Sequence, residues 1–334
     1  MRKALLWSVA LIVAIGIGGY AASSFSPWPA AIAIRVPFDL DAWRMNALLT
    51  RHVPAGVSAR YDVPYLANEA DARLDIYYPS ALENTERTLP TVVWIHGGAF
   101  IAGSRSLVSN YLKIVAAAGY TVVGIGYSIA PGASYPTPVR QANAALAYLK
   151  ENGHVLHVDA SRIVLAGDSA GAQIAAQLAN IISVPAYASD VGLEPAIERT
   201  RLQGVVLFCG VFDLVDANAA GSFTAFVESI LWAYSGTRNY LTDPAFAKAS
   251  VARYVTGAFP PAFISVGNGD PLESQSRELA RVLEDRGVSV DTLFFAEVYN
   301  PPVRHVYQFS LDTEAGRLAF ERSTAFLGDL MPRD

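Results

Sequence analysis

The sequence predicts an α/β protein whose central sheet is mainly parallel and covered by helices on both faces. Short apolar runs, typical of strands buried on both faces, alternate along the chain with segments of helical patterning. Strands that alternate with helices favour parallel pairing through helical crossovers. The 334 residues are enough for one large domain of this class with a sizeable core.

The predicted strands and helices follow one another from residue 74 onward. Strands are predicted at residues 74–79, 91–95, 121–125, 163–166, 205–208, 263–266 and 292–295. Helices are predicted at residues 108–118, 136–152, 170–180, 273–286 and 307–327. The first of these strands alternates and ends at Pro79, which places it near an edge of the sheet.

Residues 1–22 differ from the rest of the chain. Arg2 and Lys3 precede an uncharged run at residues 4–22, which as a helix would span about 28 Å, close to the hydrocarbon thickness of a bilayer. Positive residues stay in the cytoplasm, so the remainder of the chain is expected to face outward. The length favours an uncleaved anchor in a bacterial inner membrane, with the main domain in the periplasm. Alternatively, the small residues at 21–23 would allow signal cleavage and release as a periplasmic or secreted protein.

Residues 23–60 are predicted to be a linker or cap, and residues 61–334 the main domain. The prolines at residues 26–29 should end any helix that continues from the apolar run. Residues 41–52 have helical character and would lie over the mouth of the main domain or at a bilayer surface. Residues 211–257 form a long, aromatic-rich insertion between two strands. We expect a small lid or part of a pocket there, with additional core helices as the alternative.

Composition argues against several classes of function. The net charge is −5 and no basic run is present, so nucleic acid is not an expected partner. No cluster of cysteine and histidine supports a metal site, and no cofactor is expected. The single cysteine, Cys209, cannot form an internal disulfide and is interpreted as a small buried apolar residue.

One pentapeptide suggests a chemical function. Gly-Asp-Ser-Ala-Gly at residues 167–171 follows a predicted strand and opens a predicted helix, which is the context of a nucleophile elbow centred on Ser169. A side chain at Gly167 or Gly171 would crowd the adjacent strand or helix. The helix N-terminus favours negative charge that develops beside the serine. The alternative is an ordinary turn in which Ser169 caps a helix.

A serine nucleophile needs a base, and the base needs an acid that orients it. In α/β hydrolases the chain order is serine, acid, histidine, and of the five histidines only His305 follows Ser169. Asp270 is the predicted acid because it comes directly after the penultimate strand. Asp213 and Asp243 are its competitors, and an N-cap of the next helix is the alternative role of Asp270.

Backbone donors for an oxyanion are predicted from a second motif. The sequence His-Gly-Gly-Ala-Phe at residues 96–100 follows a strand, and glycines allow a close approach of backbone to substrate. The predicted donors are the N–H groups of Gly97, Gly98 and Ala170. His96 is interpreted as structural. Asp168 would orient the elbow or face the pocket, and no chemical step is assigned to it.

Taken together, these motifs resemble the hormone-sensitive-lipase-like branch of the α/β hydrolases, over about residues 75–327. The resemblance implies an α/β-hydrolase fold, carboxylesterase activity on short acyl or aryl esters, and a small-molecule ester as substrate. The chain departs from some relatives in having two glycines after His96 and in the residues that flank His305, which leaves the acyl preference open. Amide or formamide hydrolysis is an alternative. A non-catalytic, membrane-tethered binding module is another, although no member of the predicted triad is missing.

Overall fold

An eight-stranded sheet forms the centre of the computed structural model, which describes residues 24–217 and 224–332. The strands are β1 (Val57–Pro64), β2 (Arg73–Pro79), β3 (Leu89–Ile95), β4 (Thr121–Ile125), β5 (Val158–Asp168), β6 (Leu202–Phe208), β7 (Ala262–Val266) and β8 (Val290–Phe294). Their order across the sheet is β1-β2-β4-β3-β5-β6-β7-β8. Strand β2 pairs antiparallel with β1 and β4, and all other neighbours are parallel. The predicted mainly parallel sheet is therefore confirmed.

Nine α-helices lie in the described part of the chain. They are α1 (Trp28–Leu49), α2 (Ser109–Ala117), α3 (Thr137–Asn152), α4 (Ala170–Ser183), α5 (Pro185–Val191), α6 (Thr224–Ser235), α7 (Pro244–Ala247), α8 (Glu273–Asp285) and α9 (Glu314–Leu330). Short 3₁₀ turns occupy Thr50–His52, Ser80–Leu82, Arg105–Val108, Gly153–Leu156, Arg199–Arg201, Tyr240–Thr242, Val251–Arg253 and Tyr307–Phe309. Within these described residues, no helix is both long and apolar enough to cross a membrane.

The core lies on both faces of the sheet, as the continuous apolar strands predict. Along β3, Val93 belongs to one buried cluster while Val92 and Trp94 belong to the other, because successive side chains point to opposite faces. Helices α3, α4 and α8 contribute to the first cluster, and α2 and α9 contribute to the second. Parallel strands covered in this way present all their carboxyl ends at one edge of the domain.

Several boundaries differ from those predicted from sequence. Strand β2 is the second strand from one edge of the sheet, in agreement with its predicted place near an edge, and the edge is formed by β1, which was not predicted. The helix predicted at 307–327 is interrupted: a 3₁₀ turn is followed by α9, whose N-cap Thr313 accepts a hydrogen bond from the N–H of Gly316. The predictions for residues 1–22 lie outside the described residues.

Helix α1 is longer than the predicted segment at 41–52. It begins at Trp28, directly after Pro27, so the prolines stand at its first turn, where a missing N–H breaks no helical bond. Phe38 of α1 contacts Phe226 of α6 with ring centroids 6.0 Å apart, so the described insertion packs beside this helix.

Candidate active site

The turn between β5 and α4 holds Ser169 in a strained conformation. Its φ of 52° and ψ of −119° lie where few residues other than glycine are found, and its N–H donates to the carbonyl of Phe208 at 2.8 Å. A Cβ at Gly171 would lie 2.0 Å from the carbonyl oxygen of Ile95, and one at Gly167 would lie 2.6 Å from the carbonyl of Gly171. Only glycine fits at either position, which gives the elbow its sequence signature.

Ser169, His305 and Asp270 form one chain of hydrogen bonds. The Ser169 Oγ lies 3.1 Å from His305 Nε2, and His305 Nδ1 lies 2.8 Å from Asp270 Oδ2. The side chain of Asp270 is completely buried, and its Oδ1 accepts the N–H of Leu272 at 2.8 Å. The N-cap of α8 is Leu272, so Asp270 does not cap that helix, and its other oxygen contacts the imidazole.

The surroundings of His305 favour its protonated form. Burial lowers the pKa of His305, but the carboxylate of Asp270, which lies 2.8 Å from Nδ1, raises it above the ordinary value of 6.5. Burial raises the pKa of the Cys209 thiol, so this group is neutral at pH 7 and the charge beside the imidazole comes from Asp270. The Cys209 Sγ donates to Gln308 Oε1 at 3.8 Å, and the residue is fully buried, as its apolar context suggested.

The two competing aspartates have other partners. Asp213 Oδ2 accepts a hydrogen bond from the Nε of Arg253 at 2.6 Å, and its Oδ1 accepts the N–H groups of Val215 and Asp216. Asp243 caps α7. Neither carboxylate contacts the histidine.

One of the three predicted oxyanion donors, the N–H of Gly97, differs from the other two. The Gly97 N–H donates to Asp168 Oδ2 at 3.1 Å, so this predicted donor already has a partner. The next two residues, Gly98 and Ala99, have φ of +117° and 53°, and among the described residues no acceptor takes their N–H groups. Both line the same cavity as Ser169. The free donors at the site are thus Gly98, Ala99 and Ala170, the last at the N-terminus of α4.

Asp168 fastens the elbow to the loop that follows β3. Its Oδ1 accepts the indole N–H of Trp94 at 3.0 Å, while its Oδ2 accepts the amide of Gly97. Burial raises the pKa of Asp168 to about 6, and both hydrogen bonds oppose this rise by favouring the carboxylate. Of the two roles considered from sequence, orienting the elbow is the one that these contacts support.

His96 has no contact with the hydroxyl of Ser169. Burial lowers the pKa of His96 to about 4, so the ring is neutral, and its Nδ1–H donates to the carbonyl of Gly97 at 2.8 Å. The ring stacks on Tyr127 with centroids 4.2 Å apart, and the Tyr127 hydroxyl donates to the His96 carbonyl. These contacts hold the loop, in agreement with a structural role.

A cavity of about 250 Å³ opens above Ser169 and His305. One wall comes from α1, through residues that include Phe38, Met45 and Leu49. Residues 41–52 therefore lie at the mouth of the main domain, which is one of the two locations considered from sequence. The described residues of the insertion at 211–257 do not line this cavity, but Phe226 of the insertion contacts Phe38 in its wall.

One group of potential metal ligands occurs within residues 24–217 and 224–332. It consists of Cys209, Asp270 and His305, whose ligand atoms all lie within 4.8 Å of one another. The hydrogen bond between His305 and Asp270 and the neutral thiol account for this proximity, and we assign no metal to it.

Known proteins provide an independent comparison. Residues 92–300 match the protein family described as the α/β hydrolase fold. Esterase LipQ of Mycobacterium tuberculosis (strain ATCC 25618 / H37Rv) is 30% identical over 306 residues, which cover 88% of this chain and 69% of that protein.

Solved structures show the same architecture. Esterase B from Lactobacillus rhamnosis (HN001) superposes with a TM-score of 0.70 and 25% identity, covering 87% of this chain and 97% of that one. EstE1, a thermophilic carboxylesterase cloned from a metagenomic library, superposes with a TM-score of 0.68 and 24% identity, covering 92% and 99%. An esterase from Pyrobaculum calidifontis gives a TM-score of 0.70 and 24% identity over 91% and 93%. The last two likenesses concern the fold alone.

Proposed function

Because this chain belongs to the α/β-hydrolase family, in its hormone-sensitive-lipase-like carboxylesterase branch, we propose that it cleaves short-chain carboxylic esters through Ser169, His305 and Asp270. The observation that carries this proposal is the hydrogen-bonded chain of the three side chains at 3.1 and 2.8 Å beneath one cavity. Such distances are those that nucleophile, base and orienting acid require.

The reaction proceeds in two halves. Ser169 Oγ attacks the ester carbonyl while His305 Nε2 takes its proton, and the carboxylate of Asp270 stabilises the imidazolium. The N–H groups of Gly98, Ala99 and Ala170 donate to the oxyanion of the tetrahedral intermediate. His305 then protonates the leaving alcohol. Water attacks the acyl-enzyme in the same way and releases the acid, so the residues of the chain account for every proton.

The size of the cavity supports a short acyl group. Its volume of about 250 Å³ lies below the roughly 300–1,000 Å³ of sites that enclose drug-sized ligands. The side chains of Phe38, Met45 and Leu49 give it an apolar wall, which suits a few methylene groups.

A series of p-nitrophenyl esters from acetate to palmitate tests the proposal. We expect kcat/KM to be highest for a short acyl chain and to fall toward palmitate, and we expect Ser169→Ala to be inactive on all of them. Faster cleavage of palmitate than of butyrate in matched detergent would contradict the acyl preference. Faster cleavage of matched anilides than of the esters would favour the amidase alternative.

We also propose that residues 4–22 hold the full chain at the outer face of a bacterial inner membrane. Their uncharged sequence and the preceding Arg2 and Lys3 support this location. Carbonate washing of membranes, followed by mass analysis of the amino terminus, is the test. Recovery in the wash of a chain that starts near residue 22 would instead indicate a cleaved signal.

A further inference from the structure

The outer side of α1 carries an exposed apolar stripe. Five large apolar residues recur every three or four positions, the spacing of one side of a helix. They are Trp28, Ile32, Val36, Leu40 and Trp43, with exposed fractions of 45, 50, 64, 45 and 59%. Exposed apolar side chains grouped along one side of a surface helix commonly mark an interaction site.

The inner side of the same helix is already fixed to the domain. The guanidinium of Arg35 donates to the carbonyls of Ile101 and Ala130 at 2.6 and 2.9 Å, and Phe38 and Leu49 face the cavity. Helices that pack on a domain with one side normally turn a polar side to water. The apolar stripe on α1 therefore needs a different explanation from packing within the domain.

We propose that this stripe lies in the interfacial region of a lipid bilayer, which brings the mouth of the cavity to the membrane surface. The sequence adjoining α1 selects lipid as the occupant. Five residues separate the uncharged run at residues 4–22 from Trp28, so the connection between them spans at most about 22 Å. An anchor in the bilayer would thus hold the start of α1 near the lipid headgroups.

The composition of the stripe agrees with this position. Tryptophan has an apolar body and a polar N–H, and it is enriched at membrane interfaces. The stripe has one at each end, Trp28 and Trp43, with aliphatic residues between them. An interfacial helix buries such a side about 5–10 Å into the boundary between headgroups and acyl chains.

The proposal also identifies a substrate class, and this part rests on the proposed esterase function. Because α1 lines the cavity on one side and would contact lipid on the other, esters dissolved in the membrane surface reach Ser169 without crossing bulk water. The expected substrates are amphiphilic esters with a short acyl group on a lipophilic alcohol.

Fluorescence of the full chain reconstituted in phosphatidylcholine vesicles tests the docking without reference to activity. Val36→Cys carries an environment-sensitive nitrobenzoxadiazole label, and the matched control is Val155→Cys. Val155 is 50% exposed and precedes β5, at the opposite end of the parallel strands from the site. Unmutated protein reports any labelling of the buried Cys209. We expect the label at residue 36 to emit at shorter wavelength and to be quenched by nitroxide-bearing lipid, and the label at residue 155 to be quenched by iodide in water.

Two outcomes of this experiment would overturn the proposal. Equal iodide quenching at residues 36 and 155 would show that the stripe faces water. Protection of the label at residue 36 from both iodide and lipid nitroxide would show that protein covers the stripe, either a second copy or residues 4–22.

A separate measurement tests the substrate class. We expect Val36→Glu to slow hydrolysis of an ester embedded in the vesicles about tenfold, because burying an apolar side chain of this size is worth about that factor. Hydrolysis of p-nitrophenyl butyrate in solution should be unchanged. Equal rates of wild type and variant on the embedded ester would refute this route. If the wild type itself failed to hydrolyse p-nitrophenyl butyrate, this result would count against the esterase function and not against the membrane route.

Discussion

Replacement of Asp270 by asparagine should reverse the tautomer of His305. The buried oxygen that accepts the Leu272 N–H at 2.8 Å must remain an acceptor, so the carbonyl of the new amide takes that position. The amide NH₂ then faces His305 Nδ1, where Oδ2 lay at 2.8 Å. Two donors cannot share a hydrogen bond, so Nδ1 becomes an acceptor and the ring proton moves to Nε2.

The consequence for the serine can be given a magnitude. An Nε2–H points at the hydroxyl of Ser169 as a donor and cannot take its proton, so general-base catalysis is lost while the packing persists. In a serine protease that serves as the general example, the same change of tautomer lowers kcat about 10⁴-fold. That factor corresponds to about 5.4 kcal/mol of transition-state stabilisation. We expect Asp270→Asn to lower kcat on p-nitrophenyl butyrate by a similar factor.

The chain offers a matched control for this substitution. Asp213 is also an aspartate that follows a central strand, but it pairs with Arg253, which is 42% exposed. Asp213→Asn should keep kcat close to that of the wild type, because this carboxylate contacts Arg253 and the N–H groups of Val215 and Asp216 and has no contact with His305. Thermal unfolding of both variants checks that the fold persists. A folded Asp270→Asn variant that retains more than about a tenth of the activity, or a larger loss in Asp213→Asn, would refute the reasoning.

Three further predictions concern the same site. Ser169→Ala should abolish fluorophosphonate labelling. Its combination with His305→Ala should lower kcat little more than either change alone, because losses of about 10⁴–10⁶ in residues that act as a unit are not additive. Additive losses in kcat would show that the two residues act separately. The midpoint of the acidic limb of kcat/KM against pH should lie above 6.5, because the base must be neutral and Asp270 raises the pKa of His305. Asp270→Asn should move this midpoint to lower pH. An unchanged midpoint would contradict the assignment of His305 as the base paired with Asp270. Gly171→Ala should lower kcat about 100-fold, because a Cβ placed 2.0 Å from the Ile95 carbonyl must displace the elbow by about 1 Å. A wild-type rate in this variant would show that the turn accommodates the methyl group without displacing Ser169.

Sequence alone predicted the parts of the site whose signals are local. The elbow at 167–171 is a contiguous strand–turn–helix pattern, and its glycines are required by contacts that the structure makes visible. His305 followed from elimination, since no other histidine lies after Ser169. The hydrogen bonds that the structure gives to Asp270 and His305 agree with these assignments, and their roles in catalysis remain predictions for the experiments above.

The sequence predictions differ from the structure where contacts between residues distant in sequence determine the local arrangement. The amide of Gly97 is taken by Asp168, which is 71 residues away in sequence, and no local pattern reveals that bond. Strand β1 was missed because it lies at the edge, is largely exposed, and shifts its register between Arg60 and Val63. Helix α1 begins 13 residues before the predicted segment at 41–52 and contains Pro37, a residue that normally breaks a helix.

The proposed catalytic groups come from two separate halves of the sheet. The segments after β3 and β5 carry the proposed oxyanion donors and Ser169, whereas the loops after β7 and β8 carry Asp270 and His305, with β6 between the halves. The two later loops are joined directly, since the Gly269 N–H donates to the Val303 carbonyl at 2.9 Å.

During synthesis, therefore, the nucleophile leaves the ribosome 136 residues before its base. A growing chain can complete its elbow early and still have no means of activating it. If the proposed triad is correct, we expect hydrolysis to begin only after the last two strands have joined the sheet, so the onset of ester cleavage in a translation reaction would report this late step of folding.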